Sequence, residues 1–149
     1  MTDSVKKQAI ARLFQVLEPL KIQNNFRAIE RKQDLFASAA VLPAIQVVIG
    51  DEDVIEGSGE DNRGYTMEFP VAIKIMFEEQ RDPYTLQDDV SAWIQEKAES
   101  DLQLARLINW LRYIGDTPFT NEIGKPGGGI ILHYLVQYRR ERARPDVNY

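Results

Sequence analysis

The chain has 149 residues, 44% of them hydrophobic and 28% charged, with no cysteine, one histidine and a formal net charge of −5. That length sets a prior of one domain around one core, and the absence of cysteine excludes disulfides, thiolate nucleophiles and cysteine metal sites. The acidic balance argues against a general nucleic-acid binder, whose affinity comes from neutralising phosphates.

Val5, Ala9, Leu13, Val16 and Leu20, joined by Ile10, Phe14 and Leu17, recur at helical spacing. They predict a helix capped by Asp3 or Ser4 and limited near Glu18 by Pro19. Its charged start, MTDSVKKQAIARLF, offers no signal-peptide core, and no apolar run approaches the roughly 18 residues of a membrane span. IQNN then reads as a turn, Phe26 to Lys32 as a short charged strand, and ASAAVLP as a connector. From Ala44 to Ile49 the alternation of Ile45, Val47 and Ile49 with Ala44 and Gln46 predicts a second strand.

Gly50 to Gly64 reads as a long hairpin connection. Asp51, Glu52, Asp53, Glu56, Glu60 and Asp61 put six negative charges between Gly50 and Asn62 with no Lys or Arg among them, so the rest of the chain carries +1. Asp51, Asp53 and Ile55 fail the alternating oxygen-ligand pattern of a calcium loop. The expected role is therefore charge itself, turned toward DNA or a basic partner. In the next strand Tyr65, Met67, Phe69, Val71, Ile73, Ile75 and Phe77 share one face, against Thr66, Glu68, Lys74 and Glu78. Pro70 within it lacks a ladder donor and implies an edge position or a bulge.

Leu86, Val90, Trp93 and Ile94 predict a helix. The same phase would put Lys97 and Asp101 on its apolar face before Leu104, Ala105, Ile108 and Leu111 resume it, so a break is expected near Glu99 to Asp101. Trp93 and Trp110 fall on or near that face and read as core packing. Gly115 to Gly129 predicts a long loop of a length that is commonly functional. In it Phe119 and Ile123 either fold back onto the body or dock on a partner. Lys125 and the glycines after it resemble a phosphate cradle superficially, but a P-loop needs a preceding strand, a Lys-Ser or Lys-Thr pair and a following helix. A flexible turn is expected instead.

Ile130, Leu132, Tyr134, Val136 and Tyr138 alternate in a final strand. His133 lies on the face opposite the tyrosines with no nucleophile beside it, and reads as a sheet histidine rather than a catalytic one. Arg139, Arg140, Arg142 and Arg144 then face only Glu141 and Asp146, and 143–149 is expected to extend as a tail. Residues 1–142 thus form one α+β domain: a small, mainly antiparallel sheet of about four strands, with the first helix and a second, broken one packed on one face. Both alternating strands exceed the usual five or six residues, so they should overrun a small body and offer their ends to a neighbouring subunit.

The helix VKKQAIARLFQVL, the strand pair ending in YTMEFPVAIKIMF, the helix LQDDVSAWIQEKAESDLQLARLI and the last strand IILHYLVQYRRER after a glycine-rich loop together resemble the tail-terminator, or tail-completion, proteins of long-tailed bacteriophages. The resemblance covers most of the chain and rests on element order, size and the final strand rather than on one motif. It implies a structural virion protein of the tail or neck, assembled in the bacterial host cytoplasm, with no enzymatic activity, cofactor, metal or membrane. Six copies would form a ring that caps the tail tube, halts its polymerisation and joins tail to head through a head-completion or stopper protein. DNA would pass through the lumen unbound, and an acidic loop there would repel phosphate.

The family pattern contributes no active-site residues. The candidate lumen or partner-facing loop comes from the sequence alone and is Asp51, Glu52, Asp53, Glu56, Glu60 and Asp61. The candidate interface, read in the same way, is Phe119, Ile123, Arg139, Arg140, Arg142, Arg144 and Tyr149. Another neck component of similar size is the nearest alternative. A small enzyme or ligand-binding domain with a pocket between helices and sheet is a second, and an RNA-binding sheet with Tyr134 and Tyr138 as stacking platforms is a third.

Overall fold

The first helix, α1 (Val5–Leu17), begins where Ser4 Oγ accepts the Lys7 amide at 3.1 Å and ends at Glu18, before Pro19. Its buried residues, Val5, Ala9, Ile10, Leu13, Val16 and Leu17, are the helical stripe of the sequence turned onto the core. The computed structural model describes residues 3–35, 41–55, 64–77, 83–120, 128–141 and 145–146. A short α2 (Leu20–Gln23) follows α1. After it come β1 (Ala28–Lys32), β2 (Ala44–Ile49), β3 (Asp53–Val54), β4 (Gly64–Phe77), α3 (Pro83–Ser100), α4 (Leu102–Leu107), β5 (Trp110–Thr120) and β6 (Gly128–Glu141).

The class is α+β with an N-terminal helix, but the sheet has six strands where about four were expected. Its order is β1-β2-β4-β6-β5, with β3 beside β4. Only β1 and β2 run parallel; every other pairing is antiparallel. β3 lies in the expected hairpin connection, paired through Asp53 with Glu68 and Val54 with Met67. The second added strand is β5, which replaces the end of the expected helix and the start of the expected long loop.

The reason is a coincidence of spacing. Leu104 and Ile108 are buried and Leu111 packs partly buried against the same core. Their four- and three-residue intervals therefore look helical, although the chain turns extended at Ile108, with φ −125 and ψ 158. Inside β5 the period of two is then broken, because the register on β6 jumps between Tyr113 and Gly115. That bulge moves the core-facing phase from odd to even positions, so no single alternation survives along the strand. The helix break itself falls where the charge pattern placed it: α3 ends at Ser100, and Asp101 caps α4.

β4 and β6, 14 residues each, pair along their whole length. The side chains of Met67, Phe69, Val71, Ile73, Ile75 and Phe77 interleave with Ile130, Leu132, Tyr134, Val136 and Tyr138 in one core, covered by α1, α3 and α4. The overrun expected of these strands is therefore small. Beyond Met67 and Tyr138 only three pairs remain, and there Tyr65 is half-buried with the Arg140 guanidinium 5.0 Å from its ring centre. At the other end of the chain the Val5 amide donates to the Pro145 carbonyl at 2.8 Å, so part of the stretch expected to extend away lies against its own α1.

Pro70 is not on an edge strand, because β4 is central. The irregularity is carried by the neighbouring strand: Gly50, Asp51 and Glu52 stand opposite only Phe69 and Pro70. The missing Pro70 donor faces this one-residue bulge, while the Pro70 carbonyl accepts the Gly50 amide at 2.9 Å.

On the sheet face away from the helices Gln46 is 1% exposed, and among the described residues neither polar atom of its amide has a hydrogen-bond partner. Such a group costs about 1–3 kcal/mol in desolvation. Gln46→Met should therefore raise the unfolding free energy by about 1 kcal/mol in urea denaturation. A loss of similar size would show that the amide is paired.

Candidate functional site

The acidic stretch is divided by the fold. Asp51 and Asp53 are exposed where β2 passes into β3. Glu52 is exposed as well, and its Oε2 accepts the Tyr138 hydroxyl at 2.5 Å and stands 4.0 Å from Lys6 Nζ. Burial first, and then this hydrogen bond, hold the Tyr138 phenol above its ordinary range. Glu52, itself exposed, thus also bridges β6 and α1. Glu56, Glu60 and Asp61 lie outside the described residues, as do Ile123, Arg142, Arg144 and Tyr149.

Two expected interface residues are accounted for within the chain. Phe119 lies on β5, not in a loop, and its ring sits 5.0 Å from Lys74 Nζ. Lys74 also donates to the Leu35 carbonyl at 2.8 Å, and burial holds its ammonium below the usual lysine range, with Asp34 opposing. Phe119 therefore folds back onto the body. Arg140 stacks on Tyr65, as described, whereas Arg139 is exposed.

His133 bonds Thr117 Oγ1 at 3.0 Å across the β5–β6 pair. Tyr134 and Tyr138 are 1% and 2% exposed beneath the helices, so neither can stack a base. The Tyr134 hydroxyl has no hydrogen-bond partner among the described residues, and burial raises its pKa strongly. Its ring meets Tyr113 edge-on at 5.6 Å. Tyr113 is pushed up to about 12 by burial and by its 2.7 Å hydrogen bond to Asp116.

Sequence reasoning missed three features. Trp110, expected in a helical core, lies on the sheet face opposite the helices with the Arg112 guanidinium 4.3 Å from its ring centre. That face also holds half-buried Val48, Ala72, Ile131 and Leu135, and among the described residues no helix covers it. The second feature is a groove of about 530 Å3 on the helical layer between α1 and the α3–α4 junction, with Val16, Pro19, Trp93, Lys97 and Leu102 along it.

The third feature is the ion pair at the groove's floor. Arg12 Nε and Nη2 reach the two Asp101 carboxylate oxygens at 2.9 and 2.7 Å, while Asp101 Oδ2 also accepts the Leu104 amide at 2.8 Å. The only sequence signal was negative, a carboxylate in phase with an apolar stripe. Its resolution is a side chain that caps α4 and ties it to α1 at once. The Arg12 donors, aided by the Leu104 amide and opposed by burial, hold the Asp101 carboxyl below the usual carboxylate range.

A depressed carboxylate contributes stability that is complete above the unfolded-chain pKa of about 4 and is lost as pH falls through the lower native value. Asp101→Ala should therefore cost about 1 kcal/mol through the cap alone at neutral pH. Asp101→Asn retains a capping oxygen and should lose mainly the acid-dependent part. Denaturation curves at neutral and acid pH distinguish the two.

Among the described residues no three His, Asp or Glu side chains are grouped to hold a metal ion, and no helix is long and apolar enough to cross a membrane. No protein-family model matches the chain, and a search of curated proteins finds no significant match.

Proposed function

We propose that this protein is a tail terminator: a subunit of a hexameric ring that caps the tail tube of a long-tailed phage at its head-proximal end. The ring halts tube growth and presents a surface to a head-completion or stopper protein. It is a virion component of the neck, assembled in the host cytoplasm, and acts without enzymatic chemistry, cofactor or membrane. The observation that carries this reading is the sheet face that no helix covers among the described residues. The four segments that resemble the family, α1, the β2–β4 pair, α3 with α4, and β6, share one core. They leave Val48, Ala72, Ile131 and Leu135 half-buried on the side without helices. Apolar surface of this kind on a sheet serves association better than solvation, and a ring is the closed form of repeated head-to-tail contact. DNA threads the centre without being bound.

The test is an assembly reaction containing tail tubes of the particle that encodes the chain. Capped tubes of defined length, with sixfold rings at one end in electron micrographs, are expected. Monomeric protein that leaves tube length unchanged would refute the terminator. Rings that bind the head side but leave tubes growing would replace it with another neck component. His133→Gln, which can keep the Thr117 hydrogen bond, should cap tubes as well as the parent does. A loss of orders of magnitude in any turnover assay would overturn the non-enzymatic reading.

A further inference from the structure

We infer that the acidic bend of one copy, Asp53 to Ile55, seats in the groove between α1 and the α3–α4 junction of a second copy; this rests on the ring reading above. Five large hydrophobic side chains are exposed among the described residues, and two of them belong to these two places. Val54 is 53% exposed on the bend. Leu102, 75% exposed, lines the groove. Val16, Pro19 and Trp93 give the groove an apolar wall beside Leu102.

Charge separates the two surfaces in the same sense. Asp51 and Asp53 are exposed and make no ion pair among the described residues. Lys97 of the groove has none either, whereas Arg12 is already matched by Asp101. The bend is also presented rigidly, because Val54 pairs with Met67 and the Ile55 amide donates to the Thr66 carbonyl at 2.8 Å.

The two surfaces do not meet within one copy. Lys6 marks the acidic bend, since its Nζ lies 4.0 Å from Glu52; the groove begins at Arg12, six residues or about 9 Å further along α1 at 1.5 Å per residue, and none of Asp51 to Ile55 lines it. A bend at the start of the helix and a groove along its second half are separate surfaces of one copy, and the inferred contact joins them between molecules. Such a contact is heterologous, and its repetition closes a ring or runs on as a filament.

The chain has no cysteine, so engineered thiols report this contact without background. Val54→Cys and Leu102→Cys would be made singly and together, and treated with a short bismaleimide at concentrations where light scattering shows oligomer, with tail tubes added if it does not. Mixing the two single variants should give a cross-linked pair, and the double variant a ladder ending at the closed ring. Leu102→Asp, on an exposed side chain, should leave the melting temperature unchanged and weaken association at least about tenfold. Oligomers that form without the Val54–Leu102 link, or with equal linking of either variant to itself, would overturn the docking and leave the ring reading standing. Monomer under all conditions, tubes included, would overturn both.

Discussion

Gly129→Ala will destabilise the protein by about 3 kcal/mol, the upper range for an overpacked interior site, and lower its melting temperature by roughly 10 °C for a domain of this size. Gly129 pairs with Met76 on β4 and Phe119 on β5. A Cβ built there would lie 1.8 Å from the Ile75 carbonyl oxygen and 2.9 Å from Phe119 Cζ. The ring can turn away, but the carbonyl belongs to the central strand and cannot move without opening the β4–β6 ladder. Phe119→Ala in the Gly129→Ala background should for that reason recover less than about 1 kcal/mol. Denaturation of the three variants decides the matter. A Gly129→Ala protein within about 1 kcal/mol of the parent would show that the strands have room to separate.

Gly50→Ala should cost about 2 kcal/mol, for a different reason. Its Cβ would meet Pro70 Cγ at 2.3 Å and Cδ at 3.0 Å, side-chain atoms of a ring that has no rotamer to escape into. The penalty therefore depends on the proline. In a Pro70→Ala background the same substitution should cost less than about 1 kcal/mol, a coupling of about 1 kcal/mol or more in a double-mutant cycle. Additive effects would mean that the strain at Gly50 comes from its backbone rather than from this contact. Because the bulge beginning at Gly50 sets the path of Asp51 to Val54, the variant should also weaken the proposed contact between copies.

Alternation and helical spacing determined much of this molecule. The limits of α1 and β2, the long strands β4 and β6, the inward tyrosines, the outward His133 and the interruption at Asp101 all follow from side-chain period and from a charge out of place, which are local properties. Three things were decided only in three dimensions. β5 was hidden because a bulge reverses the phase within it and Leu104, Ile108 and Leu111 reach one core across a change of structure. Glu52 is tied to the Tyr138 hydroxyl, a buried donor far along the chain that the sequence pattern gave no reason to pair with it. The groove over the Arg12–Asp101 pair exists because one carboxylate caps one helix while binding another. Period is written in neighbouring residues, whereas register, pairing and the shape of a surface depend on which distant residues the packed core brings together.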